Sequence, residues 1–163
     1  MSSYDLGKPE ACAWIRANFP DRSEILDVGA CDGKWADMLP EYYFMDAVEA
    51  FWPNAGRLRD KYRNVYARNI VGLNYPHYDL IIFGDIIEHL TVEDAQQVLA
   101  YAKTRCRDMI VSVPWLYPQG MLYNNPYEIH RQDDLTMEIF NERYPGFEPI
   151  VEFDNYCYFH LKK

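Results

Sequence analysis

The residues with the most chemical content are acids set at the ends of apolar runs. Ile25-Leu26-Asp27-Val28 carries Asp27, the chain turns through Gly29-Ala30-Cys31-Asp32-Gly33, and the next apolar run, Phe44 to Val48, ends in Glu49. A buried parallel strand would bring Asp27 to its carboxyl edge, and the glycines would let backbone pass close to a ligand. Glu49, about 20 residues on, would then face a ribose diol. That layout suits an adenosine-like unit. A second group, Gly84, Asp85, Glu88 and His89, follows the run Leu80-Ile81-Ile82-Phe83. His89 is a candidate general base, because an imidazole titrates near neutrality.

The turn itself narrows the nucleotide. The dinucleotide fingerprint G-x-G-x-x-G is not matched by Gly29 and Gly33, and no G-x-x-x-x-G-K-[ST] occurs. Asp32 inside the turn, with Asp27 behind it, would repel a pyrophosphate and attract a cation. S-adenosylmethionine, with a sulfonium and an ammonium beside its adenosine, meets that condition.

The elements that must position these groups alternate between helix and strand with short connections, the pattern of a parallel sheet covered on both faces. Helices are expected from Pro9 to about Asn18, Lys34 to Leu39, Asn54 to Tyr62 and Asp134 to Tyr144. Another starts after Thr91, whose hydroxyl can cap it at Asp94, with Ala95, Val98, Leu99 and Ala102 at helical spacing. Strands are expected at Ile25–Asp27, Phe44–Val48, Val65–Ala67, Leu80–Phe83 and Met109–Val113, closed by the pair Phe147–Phe153 and Tyr156–Leu161.

Ile25 to Gly33 resembles the first motif, acid-x-Gly-x-Gly-x-Gly, of the class I S-adenosylmethionine-dependent methyltransferases. Asp27, Gly29 and Gly33 match it, and Cys31 stands at the middle glycine. Glu49 is similar to the acid of the second motif, and Tyr78 to Leu90 resembles the fourth. At the third, Asn69 replaces the usual aspartate toward the adenine amino group. The resemblance implies an α/β, three-layer Rossmann-like fold with a seven-stranded, mostly parallel sheet, an antiparallel last strand and helices on both faces. It implies S-adenosyl-L-methionine held by Asp27, Gly29, Ala30, Cys31, Gly33, Glu49, Ala50, Asn69, Ile70, Gly84 and Asp85, with Phe51 and Trp52 also candidates to cover the adenine. The activity it implies is methyl transfer to an oxygen or nitrogen of a small-molecule or glycan-like acceptor.

The long stretch from Pro114 to Arg131 supplies aromatics, amides and a second candidate base, His130. It would suit a polar, ring-shaped acceptor and is similar to a segment of methyltransferases that act in bacterial surface-glycan pathways. An acceptor pocket would come from this loop, from the N-terminal segment or from a second subunit, so a homodimer is compatible with the sequence. His77 and His160 read as plain surface or strand residues. The alternative reading is a non-catalytic S-adenosylmethionine-binding subunit that works with a partner protein, favoured by Cys31 and Asn69 departing from the pattern. A nicotinamide oxidoreductase is disfavoured by Asp32 and the missing third glycine.

Composition sets the outer bounds. A chain of 163 residues forms one domain that buries about two thirds of its unfolded surface. A formal net charge of -9 argues against nucleic acid, whose phosphates need clustered Lys and Arg. The four cysteines, Cys12, Cys31, Cys106 and Cys157, form no C-x-x-C pair, so neither a metal site nor a disulfide framework is expected. No secretory leader and no run long enough for a membrane span is read, and a cytoplasmic location is expected.

Overall fold

The computed structural model describes residues 5–39 and 43–162. The strands are β1 (Glu24–Val28), β2 (Phe44–Val48), β3 (Val65–Tyr66), β4 (Tyr78–Gly84), β5 (Cys106–Pro114), β6 (Glu148–Phe153) and β7 (Tyr156–Lys162). They form one sheet in the order β3-β2-β1-β4-β5-β7-β6. β7 runs antiparallel to both of its neighbours, and the β1, β2, β3, β4 and β5 pairings are parallel. This is the seven-stranded, mostly parallel sheet expected from the sequence.

Leu80, Ile81, Ile82 and Phe83 of β4 have no exposed surface, the unbroken apolar run required of a central strand covered on both faces. On one face lie α1 (Lys8–Asn18) and α2 (Lys34–Met38), with Ala11, Ile15 and Trp35 packed on Ile25, Leu80 and Ile82. On the other lie α4 (Val92–Arg105) and α5 (Met137–Arg143), with Val98, Leu99 and Phe140 packed on Leu26, Ile81 and Phe83. Phe140 stacks on Phe159 of β7 at 3.9 Å between centroids. Each such buried side chain contributes about 1.5–3 kcal/mol, which fixes the register that lines up the strand ends. Val28 is level with Val48 and Phe83, and Phe83 with Val111. Gly29, Glu49 and Gly84 therefore emerge together at one edge.

Two helices differ from expectation. α3 is a single turn, Trp52–Ala55, followed by irregular turns instead of a helix to Tyr62. Gly56 lies outside the core, and the following Arg57, Arg59, Asp60 and Lys61 are exposed, so only Leu58 and Tyr62 anchor the stretch by burial. α5 begins three residues later than Asp134, because Thr136 takes the cap position and accepts from the Ile139 amide at 3.3 Å. Thr91 caps α4 as expected, accepting from the Asp94 amide at 3.1 Å. No helix among the described residues is long and apolar enough to cross a membrane.

Candidate functional site

The aligned strand ends open into a cleft of about 900 Å³, in the upper part of the roughly 300–1,000 Å³ range of small-molecule sites. It lies at the carboxyl edge, where the strand order reverses between β1 and β4, the place where ligands bind to open α/β sheets. Gly29, Cys31, Glu49, Ala50, Asn69, Ile70, Gly84, Asp85, His89 and His130 all line it. Asp27, Ala30 and Gly33 stand behind the wall. Of the two aromatics after Glu49, Phe51 contributes backbone and Trp52 is 67% exposed, away from the cleft lining.

One half of the cleft is built largely from backbone. Glu49, at the end of β2, is 6% exposed. Its Oε2 accepts from the Cys31 amide at 2.8 Å and its Oε1 from the Phe51 amide at 2.7 Å. Burial raises its pKa, while the amides of Phe51, Cys31 and Ala50 oppose the rise. A carboxylate offers about four lone-pair directions, so beside these amides it keeps capacity for a further donor such as a ribose hydroxyl. Gly29 has φ +74°, and a Cβ there would lie 1.8 Å from Ile86 Cδ1; only glycine allows the β4 loop to rest on this turn. Cys31 holds φ +52° despite its side chain, an arrangement costing about 1–2 kcal/mol. Its backbone thus takes a conformation that a glycine would adopt freely. Burial pushes its thiol up to about 12, leaving it protonated and unreactive.

Asp27 is the expected site residue with the clearest different placement. It is 1% exposed and accepts from the Tyr62 hydroxyl, tying the end of β1 to the segment that follows α3. Burial raises its pKa to about 6, against the opposing Tyr62 hydrogen bond and the nearby Lys8 charge.

The other half is built from side chains. Ile87–His89 forms a 3-10 turn after β4, and the loop after β5 returns to it. The Glu88 carbonyl accepts from the Arg131 amide at 2.7 Å and the Gln132 amide at 3.1 Å. Gln132, 2% exposed, clamps the turn from beneath. Its Nε2 donates to Ile87 O at 2.7 Å and Leu90 O at 3.1 Å, while its Oε1 accepts from Tyr144 at 2.8 Å and Arg143 at 3.2 Å. This clamp brings the His89 and His130 rings to 4.6 Å, edge to face. His130 Nδ1 lies 2.6 Å from Tyr117 O, which fixes the tautomer with the proton on Nδ1 and a lone pair on Nε2. Burial, and then His130, lower the His89 pKa to about 4. At neutral pH His89 is therefore an uncharged and weak base. Glu88 is 1% exposed, and neither carboxyl oxygen has a hydrogen-bond partner among the described residues. Burial, and then Asp85, hold its pKa well above the usual carboxylate range.

Arg68, Asn54 and Tyr156 line the cleft without having been anticipated. Tyr156 bridges Asp85 and Ser112, 2.9 Å from the serine hydroxyl. The expected antiparallel β7 was its available signal, since such a strand starts at the edge where the parallel strands end. Nothing in local spacing marks Gln132. His77 is exposed, and His160 pairs with Asp108 at 2.8 Å; both lie off the cleft lining. None of the described residues of α1 lines the cleft either; among the described residues the loop after β5 lines its acceptor side, and residues 1–4 of the N-terminal segment lie outside the described residues.

No protein-family model matches the chain, and no curated protein matches it significantly. Solved structures do. The chain superposes on the 1,6-didemethyltoxoflavin-N1-methyltransferase of Burkholderia thailandensis, bound to 1,6-didemethyltoxoflavin and S-adenosylhomocysteine, with a TM-score of 0.73 at 19% identity. That match covers 98% of this chain and 79% of that one. A S-adenosylmethionine-dependent methyltransferase from Clostridium acetobutylicum gives 0.72 at 10% identity, over 99% and 92% of the two chains. The magnesium protoporphyrin IX methyltransferase of Synechocystis with bound S-adenosylmethionine gives 0.62 at 14% identity, over 98% and 85%. The chain has the class I methyltransferase fold.

Proposed function

We propose that this chain is an S-adenosylmethionine-dependent methyltransferase acting on an oxygen or nitrogen of a small-molecule or glycan-like acceptor. The observation that carries the proposal is Glu49. It is a buried acid at the end of β2, held open by two backbone amides of the glycine turn and its neighbour, with lone-pair capacity left for a ribose hydroxyl. The charge of the cleft agrees. Glu49, Asp85, Asp94 and Glu128 line it against Arg68 and Arg131, which favours a cationic ligand over a pyrophosphate. Gly29 and Cys31 would approach the methionine part, and Ala50, Asn69 and Ile70 the base.

S-adenosylmethionine supplies an electrophilic methyl group on a sulfonium. The chain's work is to hold the acceptor in line with that methyl at near-attack distance, which by itself removes much of the barrier. Transfer would form a bond from the acceptor oxygen or nitrogen to the methyl carbon while the carbon–sulfur pair stayed on sulfur, and the acceptor's proton would pass to water in the cleft. The acceptor space lies between the Ile87–His89 turn and the loop after β5, where Tyr117, Gln119 and Tyr127 offer ring faces and an amide to a polar acceptor. Calorimetric titration tests the reading. Micromolar binding of S-adenosylmethionine and S-adenosylhomocysteine, with none of a nicotinamide dinucleotide, is expected. Binding of the dinucleotide alone would remove the proposal.

A further inference from the structure

We infer that Glu88, His89 and His130 form a binding site for a divalent transition-metal ion at the acceptor side of the cleft. One ligand atom from each of the three lies within 4.8 Å of the others. Atoms bound about 2.1 Å from one ion sit roughly 3–3.5 Å apart, so closing the site takes about an ångström of side-chain movement. Three independent features prepare these groups as ligands. Glu88 lines the cleft, is 1% exposed and has both carboxyl oxygens without a partner among the described residues. An ionised carboxylate placed so is costly unless it is paired or bound to a metal. His130 gives its Nδ1 proton to the Tyr117 carbonyl at 2.6 Å, the backbone contact that typically orients a ligating imidazole and leaves Nε2 for the ion. His89 carries a buried Nδ1 without a partner among the described residues.

The donor set selects the ion. Two imidazoles and one carboxylate suit zinc, iron, cobalt or manganese, whereas magnesium and calcium prefer an all-oxygen shell. Three protein ligands leave positions open toward the cleft, as in catalytic and not structural sites. Resting on the methyl-transfer reading, those positions would take the acceptor. A hydroxyl bound to the ion loses its proton far more easily than a free one, so no strong protein base is required.

The decisive experiment titrates chelator-stripped protein with Co²⁺, read by its visible absorption, and with Zn²⁺ as competitor. One ion per chain is expected. His130→Gln, made at a half-buried loop position, should weaken binding by ~100-fold or more, beyond the usual effect of an outer-shell change. Glu88→Gln should do likewise, with far-ultraviolet circular dichroism checking that each variant is folded. No saturable binding by the wild type, or equal binding by wild type and folded variants, overturns the site. The same samples are titrated with S-adenosylmethionine, whose affinity should be unchanged in His130→Gln. Cobalt binding without cofactor binding would retain the metal site and sink the methyltransferase reading, and the reverse result would do the opposite.

Discussion

The two halves of the cleft are made differently. On the β1–β2 side the decisive carboxylate, Glu49, is held by main-chain amides of Cys31 and Phe51, so its geometry follows from the path of the backbone. On the β4–β5 side the path of the backbone is itself held by a side chain, Gln132, and the groups it presents include a buried acid with no partner among the described residues. A backbone-built half can serve one ligand across many acceptors. A side-chain-built half can be rewritten residue by residue, and on the proposed reading it is where acceptor specificity would be set.

The largest test of this contrast is Gln132→Ala. It removes four hydrogen bonds from a buried amide and strands their partners, costing about 3 kcal/mol. The melting temperature should fall by roughly 6–12 °C, while the affinity of S-adenosylmethionine for the folded protein stays within twofold. A parallel collapse of cofactor affinity would show that the halves are not separable.

Asp27 probes the layer behind the backbone-built half. Its folded pKa of about 6 lies above the unfolded 3.8, so the native state binds this proton the more tightly. The corresponding stability is present below about pH 4 and is lost as pH rises through about 6, amounting to about 3 kcal/mol. Urea unfolding across that window should show the decline in the wild type and a flatter profile in Asp27→Asn. Identical slopes would show that another group carries the dependence.

Glu49→Ala should weaken S-adenosylmethionine binding by about 1–3 kcal/mol through loss of charged hydrogen bonds, with Co²⁺ binding untouched. Unchanged cofactor affinity would break the assignment of this half. Cys31→Gly should have the smallest effect. Relief of about 1–2 kcal/mol of left-handed strain is set against about 0.5–1 kcal/mol of extra unfolded-chain entropy. A net gain of up to about 1.5 kcal/mol in chemical denaturation is expected, and a clear loss would mean that the thiol packs better than its exposure indicates.

The same contrast explains what could be read in the sequence. Glu49 and the Gly29 turn were legible because backbone requirements are local: an acid ending an apolar run and a glycine at a tight turn mark themselves. Thr91 announced α4 for the same reason. The helix expected from Asn54 to Tyr62 is a single turn, because Leu58 and Tyr62 are held by tertiary packing among exposed neighbours, which local sequence does not show. Asp27 matched a motif, yet its partner Tyr62 arrives by tertiary packing, which spacing does not show. His89 and His130 were each visible as titratable groups, but their meeting with Glu88 depends on Gln132, an ordinary polar residue whose neighbours are supplied by the return of the chain.

The antiparallel entry of β7 between β5 and β6 has a temporal side. During synthesis β1, β4 and β5 can pair as they emerge, but the Asp85 loop must wait for Tyr156, 71 residues later, before its contact can form. Such distant pairings are the slow ones in folding. A ribosome-bound chain stalled before β7 would therefore carry the glycine turn, Glu49 and the Gln132 clamp while the Asp85 loop still lacked its Tyr156 contact.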